Sequence, residues 1–308
     1  MHRSQKEKRE TGHGLHPPER GILVTQHLLV PDETFVLRKV GREFTHRQKR
    51  MEYKRDRDQD GELWYDQKRC SFREGGTVCM NVLVIDVGGS NVKILATGQT
   101  ESRRFPSGPT MTPQQMVSEV KKLAADWQYD VLSIGYPGLV LRGSIAAEPY
   151  NLASGWVGFN FAAAFERPVK ILNDAAMQAL GSYQGGEMLF LGLGTGLGSA
   201  LVTDGVVVPM ELAHLPYKRR TYEDYVGLRG LQRLGRKKWQ RHVEYIVKKL
   251  IAAFHPDEVV LGGGNTKKLT GLPEGCRAGN NTNAFLGGFR LWEDAQSRPS
   301  AVPNKEQR

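Results

Sequence analysis

The chain predicts an α/β fold of two related lobes, and three observations carry that expectation. A buried strand, Asn81-Val82-Leu83-Val84-Ile85-Asp86, runs through Gly88-Gly89-Ser90-Asn91 into a second strand over 92–97. The same unit of strand, glycine turn and strand returns at Leu189 to Leu193, Gly194-Thr195-Gly196-Leu197-Gly198 and Ser199 to Val202. Between and beyond the two units, strand signals alternate with helical periodicity, the pattern of sheets covered on their faces. Two such units would set their loops facing each other across a cleft.

The other elements extend this reading. Apolar spacing predicts helices over 113–126, 159–166, 175–183, 222–235, 238–254 and near 282–292, and strands over 130–135, 169–172 and 258–261. The expected lobes are 80–180 and 181–295, followed by a flexible tail over 296–308.

Composition bounds the possibilities. With 308 residues, 39% hydrophobic and 25% charged, the chain is long enough for two compact domains. Cys70, Cys79 and Cys276 are scattered and odd in number, so they offer neither a disulfide framework nor a paired-thiolate zinc motif, and a reducing, cytoplasmic setting is expected. No run approaches the roughly 18 apolar residues of a membrane span, and Gly21 to Val24 is too short for a signal-peptide core. The net charge of +10 attracts polyanions without selecting one.

Residues 1–79 are basic and carry only fragments of apolar pattern, too few for a core, so a poorly ordered extension is expected. The texture changes so abruptly at Met80 that translation could equally start there. Asp56, Asp58, Asp60 and Gly61 repeat the opening of a calcium-binding loop, but Gln67 stands where a bidentate Glu is needed and Arg55, Arg57 and Lys68 oppose a cation. A solvated charge cluster is the expectation there.

Glycines at 88 and 89, with Ser90 and Lys93 beside them, let a phosphate approach backbone N–H groups, while Asp86 can hold hydrated Mg²⁺. Alone, this turn is equally an ordinary hairpin. The matching loop of Gly194, Thr195, Gly196 and Gly198 would clamp a phosphate chain from the other side. A third cluster, Gly263-Gly264-Asn265 after the strand Glu258 to Leu261, sits where open α/β sheets bind ligands. Asp174, at the end of the strand over 169–172, could accept the proton of an attacking hydroxyl, although seen alone the commoner job of capping the helix that follows outweighs it. Asn151, Trp156, Glu211 and His214 are residue types suited to a hydroxyl-rich ligand, with Trp156 as an aromatic wall.

In order and spacing these pieces resemble the ROK family of sugar kinases and repressors, within the actin-like ATPase superfamily, and within it the polyphosphate/ATP glucokinase branch. The motifs are Ile85 to Ser90, Asn151-Leu152 with Trp156, Asn173 to Ala176, Gly194 to Gly198, Glu211 to His214, Tyr222 to Gly227, Leu261 to Asn265 and Ala284 to Trp292. The resemblance implies a two-lobed actin-like, ribonuclease H-like fold with a cleft, and transfer of a phosphoryl group from polyphosphate or ATP to the 6-hydroxyl of glucose. It implies Asp174 as base, Asn173, Glu211 and His214 on the sugar, the glycine loops on the donor, Mg²⁺ as cofactor, and leaves a homodimer open. Many ROK members carry a cysteine-rich zinc motif, and no cysteine occurs from Leu215 to Gly275, so no zinc is expected. The basic stretches Tyr217 to Arg220 and Arg233 to Arg241 could follow polyphosphate beyond the cleft. The competing class, a sugar-responsive repressor, needs a DNA-binding module within 1–79, where charge is the only credential, so nucleic acid is not the expected partner, and a catalytically silent sugar-binding protein is the other alternative.

Overall fold

A computed structural model describes residues 70–73 and 76–293. The calcium-loop pattern and the tail over 296–308 lie outside these residues, as does the basic extension except for a hairpin of Cys70–Arg73 against Gly76–Cys79.

Two five-stranded sheets form the frame. The first comprises β1 (Val82–Val87), β2 (Asn91–Ala96), β3 (Arg103–Pro106), β4 (Val131–Tyr136) and β5 (Val169–Asn173), in the order β3-β2-β1-β4-β5. The second comprises β6 (Glu187–Leu193), β7 (Leu197–Thr203), β8 (Val206–Met210), β9 (Glu258–Gly262) and β10 (Cys276–Ala278), in the order β8-β7-β6-β9-β10. In each sheet the first three strands are antiparallel and the last two join in parallel. The repeated unit read in the sequence is therefore a repeated sheet, and both glycine loops are hairpins between its two leading strands.

Helices α1 (Pro113–Leu123) and α2 (Phe161–Phe165) cover one face of the first sheet. Helix α1 starts where it does because Thr112 and Gln115 form a reciprocal capping box ahead of Pro113. Helix α6 (Arg236–Phe254) covers the second sheet through Trp239, Val243, Ile246, Val247 and Leu250. Helix α3 (Asp174–Ser182) serves both sheets. Ala175, Ala176, Ala179 and Tyr183 just beyond its end pack on the second sheet, while Met177 joins Val82, Val84 and Val131 of the first.

The last helix, α7 (Asn283–Arg290), returns to the first sheet, where Phe285 and Phe289 bury against Val82 and Val84. Ser133 on β4 donates to the Gly288 carbonyl at 2.6 Å, and Trp292 donates back to the Ser133 hydroxyl at 3.0 Å. Helices α3 and α7 cross so closely that a Cβ on Gly287 would collide with the Met177 carbonyl oxygen, and one on Gly181 with the Asn283 carbonyl.

The expected helix over 222–235 is divided into α4 (Tyr222–Val226) and α5 (Leu228–Leu234), with Gly227 extended between them. The Leu228 N–H donates to the Gly194 and Thr195 carbonyls, both at 3.1 Å, so the break aims backbone at the second glycine loop.

Gly287→Ala should destabilise the fold by about 3 kcal/mol, since neither backbone at the crossing can yield to a new methyl. Urea unfolding followed by Trp fluorescence measures this, and a change below ~1 kcal/mol would mean that the crossing is looser than the geometry shows.

Candidate active site

The first loop is held from behind. The Gly88 N–H donates to the Asn91 carbonyl at 3.0 Å, the Ser107 hydroxyl donates to the Gly88 carbonyl at 2.6 Å, and the Ser107 N–H donates to the Ser90 carbonyl at 3.0 Å. Ser90 itself is exposed. Gly89 lies against Asn151, whose Cβ would stand 3.1 Å from a Cβ placed on the glycine, so a side chain here would push the Asn151 loop away. That loop is secured by Glu148, whose carboxylate accepts from the Trp156 N–H at 3.0 Å and the Val157 N–H at 3.3 Å.

Asp86 is the penultimate residue of β1, directly opposite Lys93 on β2. Lys93 Nζ stands 3.9 Å from the carboxylate, and the two side chains are 41% and 17% exposed, a loose pair that leaves the acid free for another partner. Burial pushes the Asp86 carboxyl above its ordinary value, with Lys93 pulling part of the way back.

Asn173, not Asp174, caps α3. Its Oδ1 accepts from the Ala175 and Ala176 N–H groups at 3.0 and 3.2 Å, and its Nδ2 donates to the Gly138 carbonyl at 2.9 Å. One amide hydrogen remains for a ligand. Asp174 is thereby released from the capping duty that its position allowed. Its Oδ1 accepts from the Ala175 N–H at 2.7 Å, which favours the charged form, but burial opposes it. Burial wins and, with the neighbouring negative charges of Asp86 and Glu211, raises the carboxyl to about 7.

The second loop packs on the start of α3. A Cβ on Gly198 would lie 2.5 Å from that of Ala175, next to Asp174, so only glycine admits this approach. Thr195 is exposed at the loop tip. The third cluster braces it from below: Asn265 Nδ2 donates to the Gly194 carbonyl at 2.8 Å, and Gly263, at φ +83, lies on the backbone of Leu193. A Cβ on Gly264 would meet open space. A Glu223 carboxylate oxygen would stand 2.5 Å from a Cβ on Gly196, and the other oxygen faces Arg229 at 3.3 Å.

The structure thus joins Asp86, Asp174 and Glu211 electrostatically, and joins the second and third glycine clusters directly. Glu211 and His214 pair loosely at 3.7 Å and are 52% and 70% exposed, open to a ligand on one side of Asp174. Asn151 is tied to Gly89 rather than to that pair. Trp156 departs from expectation: it is fully buried between Tyr136 and Phe161, so it supports the Asn151 loop and walls no open site.

Ser107 and Glu148 escaped sequence reasoning because each acts through backbone it meets only in the fold, while Glu223, part of the motif Tyr222 to Gly227, had no role assigned to it. The fit for Mg²⁺ rests on Asp86 and Asp174, two crowded carboxylates raised by burial, whose repulsion a cation relieves. No three His, Cys, Asp or Glu side chains gather into a cage among the described residues.

A ROK family model matches residues 82–209. The polyphosphate glucokinase of Mycobacterium tuberculosis is 30% identical over 220 residues, 63% of this chain and 81% of that protein. The chain belongs to the ROK family. Among solved structures, the inorganic polyphosphate/ATP-glucomannokinase of Arthrobacter sp. strain KM matches with a TM-score of 0.59 at 22% identity, over 69% of this chain and 97% of that one. A ROK family glucokinase from Streptomyces griseus, solved with glucose and AMPPNP, matches with a TM-score of 0.56 at 17% identity, over 68% and 98%. These likenesses show the two-lobed actin-like fold that the sequence predicts for this ROK protein.

The raised Asp174 carboxyl has a consequence for stability. Its folded pKa of about 7 exceeds the ordinary 3.8, so the folded state binds the extra proton and its stability falls as pH rises from about 4 to about 7. Asp174→Asn removes that cost and should stabilise the ligand-free protein by at least ~1 kcal/mol at pH 8 but little at pH 4. Chemical denaturation of both proteins at the two pH values measures the difference, and equal changes would contradict the assignment.

Proposed function

We propose that this ROK sugar kinase moves the terminal phosphoryl group of polyphosphate and/or ATP to the 6-hydroxyl of glucose, giving glucose 6-phosphate. The observation that carries the reading is Asp174, relieved of capping by Asn173 and raised to about 7 between two glycine loops. A base is most effective when its pKa lies near the working pH.

In this reading Asp174 takes the proton of the sugar 6-hydroxyl while the oxygen forms its bond to the terminal phosphorus and the bridging P–O bond breaks toward the rest of the donor. The remaining amide hydrogen of Asn173, with Glu211, His214 and Asn151, orients the sugar. Backbone N–H groups of Gly89, Thr195 and Gly196 receive charge on the transferred group, while Gly88, Gly194 and Gly198, whose backbones are paired within the two hairpins, shape the loops, with Ser90, the Thr195 side chain and Lys93 at the edges. Gly263, Gly264 and Asn265 support the distal donor. Asp86 would hold Mg²⁺ through water, and the ion, when bound, neutralises charge on the donor oxygens. We take 80–180 and 181–295 as the lobes that close to exclude water, with α7 packed on the first sheet. The match to polyphosphate glucokinase supports the donor and sugar assigned here.

Purified protein, assayed for sugar 6-phosphate with ATP and with polyphosphate on several hexoses, is expected to turn over glucose. Absence of turnover with both donors on every hexose would overturn the kinase reading. Asp174→Asn should lower kcat by about 10²- to 10⁴-fold with a small change in glucose KM. In the unaltered enzyme kcat/KM for glucose should fall about tenfold per pH unit below about 7, because the protonated acid of the free enzyme cannot accept the hydroxyl proton. A flat profile from pH 5 to 8 would remove Asp174 from that role.

A further inference from the structure

The two basic stretches of the sequence meet in the fold. Tyr217 and Lys218, on a short hairpin of Pro216–Tyr217 with Arg220–Thr221, face Lys238, Arg241, His242 and Tyr245 of α6 around a cavity of about 640 Å³. The Tyr217 hydroxyl lies 3.0 Å from His242 Nδ1, and the Tyr217 ring packs edge-on to Tyr225 at 4.9 Å, which fixes the wall. Lys218, Lys238 and Arg241 have no carboxylate partner among the described residues.

Cations lead from this cavity back to the second glycine loop. The Arg233 guanidinium lies 5.1 Å from the Tyr225 ring centre and Lys218 Nζ lies 5.9 Å from the same centre, so both charges gather over one ring. Arg229 is one helical turn before Arg233 and pairs with Glu223 at 3.3 Å and Asp224 at 3.6 Å, and the other oxygen of Glu223 abuts Gly196. Arg233, Lys218, Lys238 and Arg241 therefore form a positive row at the cavity, and Arg229, balanced by its two acids, links that row to the loop.

We propose that this row is a docking track for an extended inorganic polyphosphate chain, whose reacting end lies at Gly194 to Gly198 and whose trailing phosphates run along α5 and into the cavity. The proposal rests on the donor reading above and extends it to phosphates that take no part in the chemistry. Continuity with the glycine loop favours polyphosphate over nucleic acid, because only a chain ending in a transferable phosphoryl group can occupy both ends at once. In this arrangement ATP, with three phosphates, ends before the cavity, and only a longer chain engages it.

The test compares Lys238→Gln/Arg241→Gln with the unaltered enzyme on ATP, tripolyphosphate and long-chain polyphosphate, with Lys248→Gln, an α6 lysine outside the cavity lining, as a charge control. The double variant should raise KM for long-chain polyphosphate about tenfold or more and make its dependence on log salt shallower by about two, one per cation removed. ATP and tripolyphosphate should be affected less than about twofold, and Lys248→Gln should behave as the unaltered enzyme. Long-chain polyphosphate turnover that is unchanged in the double variant would overturn the track and leave the donor reading intact. ATP turnover with none on polyphosphate would overturn the polyphosphate donor and the track together. An equal rise in KM for all donors would assign the pair to the fold, and single-stranded DNA binding tighter than polyphosphate would assign the row to nucleic acid, either result overturning the proposal.

Discussion

Helix α3 packs against both sheets at once, and the rest of the site depends on that contact. One helix face meets Phe190, Val202 and Val260 of the second sheet while Met177 reaches Val84 of the first. Small residues make the double contact possible: Ala175 meets Gly198, and Gly181 meets the Asn283 backbone. Because Asp174 opens this helix, its carboxylate is fixed relative to both glycine loops by packing rather than by a flexible linker. A larger residue at any of these contacts would move the proposed base away from the donor loops.

The electrostatics follow from the same placement. A carboxylate at the start of a helix ordinarily gains from the positive end of the helix dipole. Asp174 is raised despite that advantage, because burial is the larger effect and Asp86 and Glu211 add like charge. The site holds three acids with one loosely placed lysine, an arrangement that is unfavourable alone and suited to a cation with phosphate oxygens. The outer surface inverts the sign, with cations around the α6 cavity and few acids to balance them.

Much of the frame was legible in the residues. Strands β1 and β6 are continuous apolar runs buried on both faces, and a run of that kind ending in Asp or glycine survives any tertiary context. The edge strands β3, β8 and β10 are short and partly exposed: β3 and β10 mix arginine with apolar residues over three or four positions, and β8 is uniformly apolar and interrupted by Pro209, so none shows an alternation to detect. The break at Gly227 was also silent, because it exists to satisfy carbonyls of a loop remote in sequence. Trp156 misled for a related reason: an aromatic beside polar residues reads as a ligand wall until burial against Tyr136 shows that it is core.

The sequence by itself determined the two repeated strand and glycine units, the alternation of elements and the residue types at each loop, because these are local patterns of apolarity and backbone freedom. Only the tertiary structure decided that Asn173 takes the cap and frees Asp174, that burial and two distant acids raise it, and that two separate basic stretches close around one cavity. Those outcomes depend on through-space burial and charge between residues far apart in the chain, which no linear spacing encodes.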